Sequence, residues 1–325
     1  MTLTLETISL LAVYSAMAVY TLAFIAFTVD LARRSASEPV AVAESAPVGM
    51  LAAASGNRAS ALVDKLAADA PEAAPQKRSR ALRMAMGFTT LAWVLHTVGV
   101  VLRGFAAGYA PWSNMYGFAI TATAIIVGVF LLVQFWQDLR FLGAYIVGFC
   151  LAFLGLATVN FYVAVTPQPP ALQSAWLVIH VFVAILGTAF FALGGGLSVV
   201  QLLQSRREAR GGEGMAFLAT LPTAEKLENL AYRLILIGFV FWTFTLIAGA
   251  VWAERAWGRY WGWDTKEVWT FIIWTIFAGY IHARATRGWR GSRSAWLAII
   301  GFAAVMFNFT VVNLFFKGLH AYSGL

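Results

Sequence analysis

Four histidines and one aromatic loop concentrate the chemistry of this 325-residue sequence. The histidines are His96, His180, His282 and His320. Neutral imidazole is the commonest metal-binding side chain, so two histidines on one face make a candidate ligand pair. Carboxylates near them are few, which disfavours a hard-cation site. A bis-imidazole haem site needs no carboxylate ligand. The loop reads Trp252-Ala253-Glu254-Arg255-Ala256-Trp257-Gly258-Arg259-Tyr260-Trp261-Gly262-Trp263-Asp264-Thr265-Lys266-Glu267. Trp257, Tyr260, Trp261 and Trp263 fall within seven residues, broken by Gly258 and Gly262. An interfacial aromatic belt places Trp and Tyr at lipid headgroups but needs only scattered rings. This density suits a platform for a flat, apolar macrocycle. A porphyrin fits that description, with Arg255 or Arg259 available for its propionates. The single cysteine, Cys150, lies in an apolar run and reads as a small core residue. With one cysteine there is no CxxC pair, no intrachain disulfide and no thiol-redox chemistry.

The elements that must position these residues are membrane spans. The chain is 60% apolar and 12% charged, with a mean hydropathy of +0.74. Soluble domains average about 45–50% apolar and about 25% charged. The contrast excludes a soluble enzyme, a disulfide scaffold and a disordered chain. A span needs about 20 apolar residues. The sequence predicts about eight transmembrane helices in an all-α polytopic fold, over 6–29, 84–105, 115–136, 139–162, 175–203, 231–252, 267–284 and 295–316. The first is too long for a signal-peptide core and runs on into Asp30 and Arg33.

Net charge is +8, and its distribution is uneven. Of 23 Lys and Arg, 18 fall in 31–84, near 140, in 204–233 and in 282–294. The other five are Arg103, Arg255, Arg259, Lys266 and Lys317. The positive-inside rule puts the basic loops in the cytoplasm and both termini outside. The positive charge is thus a topology signal, and nucleic acid is not an expected partner. The aromatic loop, His180 and His320 then share the outer face. His282 is 15 residues past Glu267, roughly 22 Å along a helix, and belongs near the inner leaflet. Residues 1–30 form an N-terminal transmembrane helix. Residues 31–83, rich in Ala, Ser, Glu and Pro, read as a cytoplasmic linker, largely disordered, with room for a short helix around Ala59–Ala68. Residues 84–325 form a seven-helix domain carrying the loop.

Within that frame, Asp264 and Glu267 stand three apart at the start of the seventh span, a spacing that suits a capping box. Lys266 and Glu267 are expected to pair with each other or with headgroups. His96, mid-span, is expected to make a helix–helix hydrogen bond, the alternative being an inner ligand.

The pattern Trp257-Gly258-x-Tyr260-Trp261-x-Trp263-Asp264-x-Lys266-Glu267 resembles the WWD signature of haem-handling proteins. It is preceded by Trp176-Leu177-x-x-His180, followed by His282-x-Arg284, and closed by Gly318-Leu319-His320-x-Tyr322. That order resembles the CcsA/ResC family (CcsB in some bacteria) of System II cytochrome c biogenesis, over roughly residues 84–325. Thr265 stands where the family usually has proline, Gly117 where glutamate is common, and Ala321 where serine is usual. No proposed ligand is lost.

The resemblance implies the integral-membrane subunit of a two-subunit cytochrome c synthase in the plasma membrane. His282 would ligate haem b entering from the cytoplasmic side, opposite a histidine of a ResB/Ccs1-type partner. His180 and His320 would ligate the haem iron under the outer loop of Trp257, Tyr260, Trp261, Trp263 and Asp264. There the thiols of apocytochrome c would meet the haem vinyl groups. Catalysis would be positional, with no catalytic residue separable from the haem site. A separate thiol-reducing system would prepare the apocytochrome. The alternative from the same residues is a haem exporter without attachment activity, which would need no partner. A cytochrome b-like carrier leaves the loop unexplained, and in a purely structural membrane subunit the loop would be only an aromatic belt.

Overall fold

The computed structural model describes residues 4–36, 79–212, 214–286 and 288–320. Among the described residues, eight long helices correspond to the anticipated spans. They are α1 (Leu5–Ala36), α2 (Arg80–Ala107), α3 (Met115–Val133), α4 (Gly143–Asn160), α5 (Ala175–Ala209), α6 (Ala224–Trp257), α7 (Thr265–Thr286) and α8 (Ser292–Phe309). A short α9 (Val311–Phe315) continues from α8. No strand occurs among the described residues. The protein is an all-helical, multi-pass membrane protein. Among the described residues, seven helices are long and apolar enough to cross a membrane. The exception is α7, which carries Lys266 and Glu267 in its first turn and His282 and Arg284 toward its end.

Most helix limits differ from the sequence reading, by up to seven residues, and two of them meet at one polar join. Helix α1 continues six residues past Asp30, and α2 begins at Arg80. The reason is a polar join at their shared end. Asp30 accepts hydrogen bonds from Arg34 (2.8 Å) and from the Ser79 hydroxyl, and Ser79 caps α2 by accepting from the Leu82 amide (3.0 Å). Apolarity alone does not reveal a helix end held by such a join. The rest of the linker, including the anticipated 59–68 helix, lies outside the described residues.

Helices α1 and α2 pack along each other, as do α5 and α6, and α3 and α4 fill the space between these pairs. Helix α8 lies against α5 and α7, and α7 leans on α6. One core joins α1 to α4 with the inward faces of α5 and α6. Cys150 is fully buried in it, as expected of a core residue. A second core joins α5 to α8, where Phe191 and Phe277 stack at 3.7 Å. A third, smaller core sits at the end of the bundle that carries the aromatic loop. It holds Leu177, Val181, Ile185 and the fully buried Trp252.

The two ends of the bundle are tied by charge. At the opposite end, the buried Glu228 of α6 pairs with Arg284 of α7 and accepts from the Ser294 hydroxyl (3.1 Å) and the Gly291 amide (3.0 Å) at the start of α8. Arg284 also bonds Asn229 (2.7 Å) and lies 4.6 Å over the Tyr232 ring. At the loop end, Arg103 donates to the Val163 carbonyl, sits 3.6 Å from Glu6 and covers the Tyr116 ring. Buried charges persist where partners of this kind satisfy them.

His96 is fully buried between α1 and α2, with Nδ1 3.5 Å from the Tyr20 hydroxyl. That contact joins two helices, in the manner anticipated for it.

Candidate functional site

Helix α6 ends at Gly258, whose φ of 71° closes the helix in a left-handed cap. The chain then turns back over the start of α7. One carboxylate shapes the turn: Glu267 Oε2 accepts from the amides of Gly262 (2.8 Å) and Asp264 (3.0 Å). Asp264 in return accepts from the Lys266 amide at 3.4 Å. This is the anticipated capping arrangement, with Glu267 reaching back to orphan amides. Glu267 and Lys266 do not pair with each other. Lys266 instead donates to Asn313 Oδ1 on α9. Trp263 holds a left-handed φ of 59°, a strained backbone for a bulky residue. Such strain clusters where the surrounding structure must aim a side chain.

Asp264 has a second task that the helix pattern did not reveal. Its Oδ1 accepts from the Leu319 amide (3.1 Å) and its Oδ2 meets His320 Nδ1 at 2.7 Å. Hydrogen bonding from His320, above all, holds the Asp264 carboxyl below the usual carboxylate range, against the opposing effect of burial. The segment after α9 can approach this carboxylate because residue 318 is glycine. A Cβ there would lie 2.0 Å from Asp264 Oδ1.

His180 reaches the same place from α5. Its Nδ1 lies 3.0 Å from the Thr245 carbonyl of α6. The ring rests where α6 has no side chain: a Cβ on Gly249 would come within 2.7 Å of the imidazole. A carbonyl only accepts, so Nδ1 carries the proton and Nε2 keeps its lone pair. The Asp264 carboxylate imposes the same tautomer on His320. A histidine whose Nδ1–H is held by a carbonyl or carboxylate, with Nε2 left available, has the arrangement of a metal-ligating imidazole.

Both imidazoles line one cavity that runs from the loop into the bundle between α3, α4, α5, α6 and α8. Most of its wall is apolar, from Phe118, Phe149, Phe153 and Val181 among others. Trp252 touches both histidines. It stacks on His180 (5.9 Å, 15°) and meets His320 edge-on (5.5 Å), while its Nε1 is tied to the Ala171 carbonyl (3.0 Å).

Of the sequence-derived candidates, His180, His320, Tyr260 and Trp261 line the cavity. Trp257 stands behind it, 4.7 Å from Trp252 and 5.0 Å from His320. Asp264 acts on His320 rather than on the cavity itself. Trp263 points outward, 76% exposed, with its ring edge-on to Trp261. Arg255 lies over Trp176 and Arg259 bonds the Gly262 carbonyl, so neither lines the cavity. His282 is exposed near the far end of α7 and is not brought to this site.

Sequence reasoning did not single out Trp252, Thr245, Gly249 or Asn313 as site residues. Trp252 heads the aromatic run and carried a visible signal. Thr245 and Gly249 carried none, because nothing in a sequence says which backbone carbonyl a histidine 65 residues away will meet.

Among proteins of known family, a model described as "Cytochrome C assembly protein" matches residues 112–320, which contain the entire cavity. The chain is 36% identical over 255 residues to the cytochrome c biogenesis protein CcsA of Parasynechococcus marenigrum, covering 71% of this chain and 84% of that one. It is 35% identical over 256 residues to the protein of the same name from Guillardia theta, covering 74% and 85%. A solved structure titled "Cytochrome c Heme Lyase CcmF" superimposes with a TM-score of 0.62 at 16% identity, covering 95% of this chain and 47% of that one. This chain therefore spans about half of that longer protein, and the likeness is one of fold.

Proposed function

Because this chain belongs to the cytochrome c assembly protein family, and within it to the CcsA proteins, we propose that it presents haem b on the outer face of the plasma membrane for covalent attachment to apocytochrome c. Haem is the substrate in this reading. The observation that carries it is the pair of imidazoles, His180 and His320, lining one apolar cavity. Each has its Nδ1 engaged by an acceptor that leaves Nε2 for iron. That donor set fits a haem: two neutral nitrogens, large aromatic faces and no hard-cation carboxylate cluster among the described residues.

Thr245 and Asp264 orient the two ligands, and Trp252 and Trp257 hold the rings in place. Tyr260 and Trp261 close the cavity from the loop side, and Trp263 extends the loop's aromatic surface outward. Arg255, over Trp176, and Arg259, on the Gly262 carbonyl, add positive charge to the loop outside the cavity wall. Bound there, haem offers its vinyl groups to the thiols of the apocytochrome. Each S–H adds across a vinyl so that a C–S bond forms and the proton ends on the neighbouring carbon. The protein's contribution is to hold both reactants in attack geometry while keeping water out, which supplies a large part of a barrier. Cys150 is buried and single, so reduction of the apocytochrome's cysteines falls to a separate thiol system.

His282 serves an inner site. Its exposure on α7 leaves it free to share a haem with a histidine of a ResB/Ccs1-type partner, which also positions the apocytochrome.

The test is an absorption spectrum of the dithionite-reduced protein, purified alone and with its ResB-like partner. A bis-histidine haem b spectrum is expected, weakened in His180→Ala and His320→Ala, while His282→Ala lowers the haem retained by the complex. Normal cytochrome c assembly in either outer-site variant would sink the reading. Haem translocation that persists without the partner, and without any loss of cytochrome c maturation, would instead support the exporter.

A further inference from the structure

The cavity proposed for haem has one cation in its wall, and it is neither loop arginine. Lys266, in the first turn of α7, lines the main cavity and also a small adjoining cleft shared with Asp264, Asn313 and His320. Its ammonium donates to Asn313 Oδ1. The Asn313 amide is turned for this contact, because its Nδ2 donates to the Phe309 carbonyl at 2.8 Å. The neighbouring carboxylates are engaged elsewhere. Glu267 holds the amides of Gly262 and Asp264, and Asp264 holds His320 and the Leu319 amide. Among the described residues, Lys266 makes no ion pair. The one carboxylate acting on the ammonium is Asp264, which is already shared with His320, so a cation buried in this largely apolar wall stays costly unless something else brings negative charge.

We propose that Lys266 is the anion-recognising residue of this cavity, pairing its ammonium with a carboxylate on the edge of the bound ligand and so setting that ligand's orientation relative to His180 and His320. This deepens the haem reading and rests on it, the carboxylate then being a propionate. Lys266 is a positioning residue that determines which porphyrins are accepted. It makes no bond to the reacting vinyl groups.

The experiment compares two probes on the full chain in detergent: ferric protohaem and its dimethyl ester, titrated by absorbance. The unmodified chain is expected to bind the free diacid about tenfold or more tighter than the diester, the scale of a hydrogen bond to a charged group. Lys266→Met is expected to bind both probes equally, at the affinity of the diester. Lys266→Arg is expected to keep the preference. The preference is a ratio taken on one preparation, so a reduced active fraction does not imitate its loss. Should the Met variant fail to fold, Lys266→Gln retains a donor for Asn313 and carries the same comparison. An unchanged preference in the uncharged variant overturns the proposal. Equal binding of both probes by the unmodified chain overturns it too, while leaving the haem reading standing. Binding of neither probe removes both.

Discussion

At the scale of single residues, the site is built by what approaches each imidazole from behind. His180 needs the bare backbone of Gly249 to reach the Thr245 carbonyl. Gly249→Ala is therefore expected to push the ring off that acceptor and lower outer-site haem affinity by at least about tenfold, as loss of an outer-shell partner does. Gly279→Ala is the control, since a Cβ there meets nothing within 4 Å. A haem titration of both variants reads the difference, and equal affinities would show that the His180 orientation does not matter. His320 depends instead on charge. Asp264→Asn keeps the shape but removes the carboxylate that holds Nδ1–H. Its expected cost is about 10–100-fold in haem retention, read from the reduced spectrum. If Asp264 only capped α7, the Asn variant would retain haem normally, because Asn also caps helices well.

At the scale of elements, α6 and α7 carry both ends of the proposed path. Their loop end is fastened by Glu267 and Asp264, and their far end by the Glu228–Arg284 pair. Both partners of that pair are under 10% exposed at the side chain. Glu228→Ala leaves Arg284 buried beside Asn229 and Tyr232 with its charge uncompensated, at a cost of about 3–5 kcal/mol. Thermal unfolding in detergent should show a clear fall in Tm, and a smaller one for Glu228→Gln, whose single amide oxygen can still accept from one of the two α8 donors. An unchanged Tm in the Ala variant would mean the pair does not hold the bundle. The same fastening accounts for α7 as a long helix although, alone among the long described helices, it is not apolar enough to be a candidate membrane span. Its polar groups have partners at both ends: Thr270 and Lys266 near the loop, Arg284 at the far side.

At the scale of the whole molecule, the expected orientation has a direct test. The only cysteine is buried, so introduced thiols label against a silent background. A thiol at Arg210→Cys is expected to react only with reagent on the cytoplasmic side, and one at Arg259→Cys only from outside. Labelling of both from one side would reverse or void the two-sided scheme, because the loop end and the His282 end would no longer face different compartments. The bundle itself places these ends apart. The cavity opens by the loop, whereas His282 sits toward the end held by Glu228 and Arg284.

The number of long helices, their limits within about two helical turns, and the clustering of chemistry in the 252–267 loop follow from the sequence alone. Apolar runs of span length have no other stable form in a membrane, because every backbone group must bond within its own segment. The Asp264–Glu267 cap was legible too, since capping is local in sequence. Three features were not. Lys266 and Glu267 read as partners of each other or of headgroups, yet one turns to Asn313 and the other to the loop backbone. Arg255 and Arg259 looked like the cations of the cavity, yet they lie on Trp176 and on Gly262 while Lys266 lines the wall. The acceptors of His180 and His320 lie 65 and 56 residues away along the chain. The reason is common to all three. Charge and hydropathy are properties of a residue, but the partner of a buried polar group is chosen by how helices pack, and only the tertiary structure carries that choice.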